Sequence, residues 1–104
     1  MSDRLRLPSR YRQQVEDILR ENMPQVEAWA YGSRVNGESH EASDLDLALR
    51  APGLRPIPGV DMEALREAFR ESNIPIIVDA RDWSKLPESF HEEIERDYVS
   101  LNGN

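Results

Sequence analysis

Three short features of this sequence carry side chains and spacings suited to chemistry. A Gly32-Ser33 pair follows a short apolar run, Asp44-Leu45-Asp46 comes ten residues later, and Asp79 follows the apolar stretch Ile76-Ile77-Val78. In an extended strand residues i and i+2 point to one face, so Asp44 and Asp46 project together. Two carboxylates so close repel, and each raises the pKa of the other. A divalent cation removes that repulsion, and hard carboxylate oxygens suit Mg²⁺ or Mn²⁺. Asp79 is expected in a buried strand, where an isolated carboxylate costs several kcal/mol and so takes a partner; outside a metal site that partner is Arg81, or the side chain caps the following turn. Gly32 lets the backbone turn sharply and present N–H groups to a phosphate, while Ser33 adds a small hydroxyl donor. Arg34 either adds charge there or points into solvent. A phosphate cradle beside paired carboxylates suits phosphoryl or nucleotidyl transfer, with metal ions clamping the attacking and leaving oxygens.

These residues need elements to hold them. Apolar spacing predicts a helix over residues 9–22, with Tyr11, Val15, Ile18 and Leu19 in one stripe, Ser9 as cap and Pro24 as stop. Residues 26–31 read as a strand ending at Gly32. Residues 32–43 are polar; their first half could form a short helix and their second half reads as loop. Residues 44–50 alternate and predict a second strand, followed by a Pro/Gly-rich connection over 51–59. Asp61 is placed to cap a helix with Met62, Leu65, Ala68 and Phe69 inward. Residues 74–80 predict a third, well-buried strand with Pro75 at its beginning. Pro87 opens a last helix carrying Phe90, Ile94, Tyr98 and Leu101 on one face. The expected fold is α/β (α+β): one domain, residues 1–104, with a small mixed three- to four-stranded sheet flanked by helices. Residues 1–7 and 102–104 are expected to fray.

In that arrangement the chemistry converges. If strands one and two are antiparallel, Gly32 lies near Asp44. Asp79, near the end of the third strand, reaches the same edge if that strand runs parallel to the first. The 51–59 loop then falls at the opposite end, away from substrate.

Composition narrows the function. The 104 residues hold 20 Asp+Glu against 13 Lys+Arg, a net charge of −7, which disfavours direct binding of long nucleic acid or an anionic membrane. Zero cysteines exclude disulfides, thiolate metal sites and a cysteine nucleophile, and fit a cytoplasmic setting. No apolar run approaches the roughly 20 residues of a membrane helix, and the charged N-terminus lacks the apolar core of a signal peptide.

Tyr31-Gly32-Ser33, ten residues, then Asp44-Leu45-Asp46-Leu47 resembles the signature of the polymerase-β-like nucleotidyltransferases, with Asp79 where the third carboxylate is expected. The small size and the Gly32-Ser33-Arg34 run look most like the minimal nucleotidyltransferase (MNT) antitoxins paired with HEPN toxins. The resemblance implies that Gly32, Ser33 and Arg34 hold the triphosphate and that Asp44 and Asp46 ligate Mg²⁺. It makes Asp79 the third ligand or the base. It further implies AMP transfer from ATP to a tyrosine of a partner HEPN ribonuclease, in a hetero-oligomer. Val35-Asn36 departs from the Ala-Arg of many relatives and leaves Arg34 the only cation in the turn. Two alternatives stay open: an antitoxin that neutralises by binding alone, and the catalytic subunit of a small-molecule nucleotidyltransferase. His40 and His91 read as surface residues, Trp29 and Trp83 as core or rim packing, and Glu38 and Glu41 as a solvated loop.

Overall fold

The computed structural model describes residues 5–101. The chain order is α1 (Ser9–Asn22), β1 (Glu27–Tyr31), α2 (Ser33–Asn36), β2 (Leu45–Arg50), α3 (Gly59–Arg70), β3 (Val78–Asp82), α4 (Glu88–Arg96) and β4 (Val99–Ser100), with single 3₁₀ turns at Pro52–Leu54 and Trp83–Lys85. The four strands form one mixed sheet in the order β3-β2-β1-β4. β1 is antiparallel to both β2 and β4, whereas β2 and β3 are parallel. The mixed α/β fold is the expected one.

Alternation along the strands divides the sheet into two faces. Ala28, Ala30, Leu47, Leu49 and Ala80 face the main core, against Val15 and Leu19 of α1 and Met62, Leu65 and Phe69 of α3. Burying side chains the size of Leu47, Leu49 and Leu65 stabilises by roughly 1.5–3 kcal/mol each, and all three are fully buried. The opposite face carries a smaller cluster in which Trp29, Ala48 and Trp83 pack with Ile94 of α4. Trp29 and Trp83 meet edge to face at 5.4 Å, as packing residues.

Several boundaries differ from expectation. Pro8, Pro58 and Pro87 occupy the N-cap positions of α1, α3 and α4, and none of these caps makes a side-chain hydrogen bond. Proline starts each helix because its φ is already near the helical value and its missing N–H is not needed there. Ser9 and Asp61 therefore sit inside the first turns rather than capping them. The third strand begins at Val78 rather than at residue 74 and runs on to Asp82. Pro75 precedes it, and Ile77 is 67% exposed, so the run is not a buried central strand. β3 is an edge strand, which tolerates the charged Asp79 and Arg81. Helix α4 stops at Arg96; Tyr98 and Leu101 arrive around β4 instead. Of the ends expected to fray, residues 1–4 and 102–104 lie outside the described residues. Leu5, by contrast, is buried in the core.

Candidate active site

β1 and β2 are in register so that Tyr31 faces Asp46, and β2 and β3 so that Asp46 faces Asp79. Residues directly opposite across a ladder share a face, so Tyr31, Asp46 and Asp79 form one row across three strands. That row lies on the Trp29–Ala48 face; Asp44 stands just before β2, which begins at Leu45 rather than at residue 44, close enough for its charge to act on Asp46. Gly32 and Ser33 follow Tyr31 directly. The expected convergence therefore exists, but by a different route. β3 runs parallel to β2, not β1, and Asp79 is its second residue, not near its end. The two differences cancel.

Gly32 is required on two counts. Its φ of +83° and ψ of −153° lie in a region essentially reserved for glycine. A Cβ there would stand 2.7 Å from Oδ2 of Asp46. The turn and the carboxylate are thus in direct contact. Both carbonyl bonds that open α2 come from Gly32, which accepts from Val35 and Asn36 N–H groups at 2.9 and 3.0 Å. The Ser33 hydroxyl is half-buried and makes no hydrogen bond among the described residues.

Asp44 is exposed and Asp46 half-buried, and neither has a hydrogen bond or ion pair among the described residues. Burial, then the charges of Asp79 and Asp44, push the Asp46 carboxyl above its ordinary value. Burial and the Asp46 charge likewise raise the Tyr31 phenol. Unrelieved negative charge of this kind is what a hard cation neutralises, so Asp44 and Asp46 fit a divalent metal. Asp79 is turned elsewhere: its Oδ2 accepts from Nη2 and Nε of Arg81 at 3.1 and 3.3 Å. Among the described residues, no three metal-ligating side chains are grouped closely enough to hold a metal ion together. The expected burial of Asp79 also does not occur, since its side chain is 36% exposed.

Arg34 is the largest correction. It neither points into solvent nor stands open beside the carboxylates; it is 5% exposed. Nε donates to the Ser43 carbonyl at 2.9 Å, Nη1 to Arg6 at 2.5 Å, and Nη2 to Glu41 at 3.0 Å and His40 at 3.4 Å. The guanidinium is consumed in fastening the 40–43 loop and the N-terminal segment to α2. Val35, the departure from Ala, is buried in the core beneath. The cation nearest the carboxylate row is Arg81, two residues on from Asp79 and on the same face. The pairing of Asp79 with Arg81 is one of the alternatives the sequence offered. His91 is not a free surface residue either: its ring stacks on Trp83 at 4.0 Å and Nε2 meets the Trp83 carbonyl at 2.7 Å. The 51–59 connection falls at the far end of the sheet, as expected.

A mixed four-stranded sheet that sets a Gly-Ser turn against Asp46, beside Asp44 and Asp79, has the layout of a nucleotidyltransferase domain. The family described as poly(A) RNA polymerase, mitochondrial-like, central palm domain matches residues 2–93, and the chain belongs to it. A relative from Haemophilus influenzae named "Probable protein adenylyltransferase MntA" is 41% identical over 87 residues, covering 84% of this chain and 75% of that protein. The fold is also that of a solved structure described as "Crystal structure of the toxin-antitoxin with AMP-PNP". That match has a TM-score of 0.73 and 21% identity, and covers 89% of this chain and 73% of the other. The enzyme class read from the motif, nucleotidyltransferase, is that of the family and of the Haemophilus influenzae relative.

Proposed function

We propose that this protein transfers AMP from ATP to a tyrosine hydroxyl of a partner HEPN-type ribonuclease toxin and so acts as its antitoxin in the cytoplasm. The observation that carries the reading is Asp46, unpartnered among the described residues, in register with Asp79 and against the Gly32 turn, with the exposed Asp44 two residues before it. Gly32 and Ser33 receive the triphosphate, the turn supplying backbone N–H groups and the serine its hydroxyl. Asp44 and Asp46 hold Mg²⁺, or Mn²⁺, which when bound supplies positive charge against the triphosphate. Asp79 orients the acceptor hydroxyl and takes its proton through Oδ1, the oxygen Arg81 does not hold. The hydroxyl oxygen bonds to the α-phosphorus, the bond to the bridging oxygen breaks, and pyrophosphate leaves. Positioning and fixed charge supply most of the rate. The role of Arg34 in this scheme is structural, as the fastening of the phosphate turn.

The test is intact-mass spectrometry of the protein mixed with its genomic-neighbour protein, ATP and Mg²⁺. The control chain carries Asp44→Asn and Asp46→Asn. One or more AMP additions on the neighbour, absent with the control, are expected. A stable complex without added mass would instead establish neutralisation by binding alone.

A further inference from the structure

Asp46 and Asp79 stand beside each other across β2 and β3, but of the two only Asp79 has an ion-pair partner among the described residues. Arg81 supplies it, with Nε and Nη2 both donating to Oδ2. Oδ1 of Asp79 takes no part. Residues i and i+2 of a strand share a face, so the guanidinium rises on the same side of the sheet as the carboxylate row. In the parallel register Arg81 lies beside Ala48, whose small side chain leaves space over β2. The guanidinium is close enough for its charge to act on both Asp46 and Tyr31, against the direction in which burial and the neighbouring carboxylates push them.

A metal ion at Asp44 and Asp46 that drew in Asp79 as a third ligand would meet two costs. Asp79 would have to give up Arg81, and the freed guanidinium would stand next to a divalent cation, like charge facing like. The first cost is modest, because the two side chains are 50% and 36% exposed and solvent screens the pair. The second adds to it, since Arg81 is fixed to the same strand and the same face. Arginine suits this work better than lysine would, because its planar fork brings two N–H groups to one oxygen. In keeping with this, no three ligating side chains are grouped for one ion among the described residues.

We propose that Arg81 is a positioning residue that withholds Asp79 from the metal and keeps its Oδ1 open to the acceptor hydroxyl. This inference rests on the nucleotidyl-transfer reading above and decides between the two roles that the family resemblance leaves to Asp79. It is the base, and the metal is held by Asp44 and Asp46 without it.

The test is titration of the full chain with Mn²⁺ alone, read from the loss of the free ion's electron paramagnetic resonance signal, each variant first being shown to unfold cooperatively with heat. Arg81→Gln should bind Mn²⁺ about fivefold more tightly than wild type, the gain expected from releasing a half-exposed ion pair. Arg81→Lys should fall between the two. In an Asp79→Asn chain the same Arg81→Gln change should shift affinity by less than about twofold, because no carboxylate is left to release. Lys85→Gln removes one unit of charge from an exposed side chain that makes no ion pair among the described residues, and should likewise shift affinity by less than about twofold. A residue that served only the fold would not tighten metal binding when removed. Arg81→Gln that binds Mn²⁺ no more tightly than wild type overturns the proposal. So does an equal gain in the Asp79→Asn background, which would make Arg81 a general repulsive charge. If wild type and every variant leave the Mn²⁺ signal unchanged, the carboxylates hold no metal, and the nucleotidyl-transfer reading falls together with the proposal.

Discussion

Replacing Gly32 by alanine isolates the contact between turn and carboxylate. Two costs are expected, and they read out differently. The backbone at φ +83°, ψ −153° costs an L-residue about 1–3 kcal/mol. At roughly 4–8 °C per kcal/mol for a domain of this size, a central cost of about 2 kcal/mol lowers Tm by roughly 8–16 °C. The new methyl also meets Asp46 Oδ2 at 2.7 Å, and the carboxylate, as the free end of a short side chain, gives way cheaply. Stability therefore registers the backbone, and function registers the displaced carboxylate. Misplacement on the order of 1 Å costs about 100-fold in rate. Gly37→Ala is the matched control, because Gly37 also has positive φ, at +90°, but nothing lies within 4 Å of its Cβ position. It should lose about 1 kcal/mol and leave Mg²⁺ binding and AMP transfer nearly unchanged. The assay pairs thermal unfolding with Mg²⁺ titration calorimetry and intact-mass transfer rates at a temperature where both variants are folded. Equal Mg²⁺ affinity and equal rates in the two variants would refute the contact argument, whatever the Tm values.

Other perturbations test the remaining parts. Arg34→Gln removes the donor shared by four part-buried backbone carbonyls and should destabilise by about 1–3 kcal/mol, visible in urea unfolding; loss under 1 kcal/mol would show that the fastening is dispensable. In metal-free buffer at pH 7, Asp46→Asn should be more stable than wild type by a few tenths to about 1 kcal/mol, the half-exposed site being partly screened by solvent. The sign follows from the raised pKa of Asp46: the folded state holds the proton more tightly, so ionisation above the folded pKa costs stability. The gap between wild type and Asp46→Asn should accordingly narrow as pH falls through that value, and a gap that widened would reverse the argument. Mg²⁺ should raise the Tm of wild type in proportion to ligand binding and leave Asp44→Asn, Asp46→Asn unmoved. Asp82→Ala, which orphans the buried Ile57 N–H, should cost about 1–3 kcal/mol in the same unfolding measurement.

Helix α1 was legible to the residue, because its apolar stripe is long and a proline stands at each end. The Gly-Ser and Asp-x-Asp spacing was equally legible, since each half depends only on local turn and strand geometry. β3 was not. Ile74, Ile76 and Ile77 have strand-like side chains, yet they form the approach to the strand, and period-two patterning carries no information on where hydrogen bonding starts. Strand direction was recoverable but required the connection rather than the strand: β2, helix α3 and β3 in succession form a crossover, which joins parallel neighbours. Arg34 could not have been read locally. Its four acceptors are backbone carbonyls of residues 6 and 40–43, and carbonyls leave no mark on a sequence. The Asp79–Arg81 pair was legible as an alternative to a metal site, as two opposite charges at i and i+2 on one strand face.

The shared guanidinium of Arg34 also has a mechanical side. Because it grips residue 6 and residues 40–43 together, tension applied to the N-terminal segment passes straight into α2 and the turn at Gly32. A tether, dye or fused protein attached upstream would be felt at that turn. The 3₁₀ turn at Pro52–Leu54, with Leu54 45% exposed, lies at the other end of β2. The six residues of that strand, on the order of 20 Å of sheet, insulate the site from whatever is hung there. A probe at Leu54 would therefore report on the molecule without disturbing its chemistry.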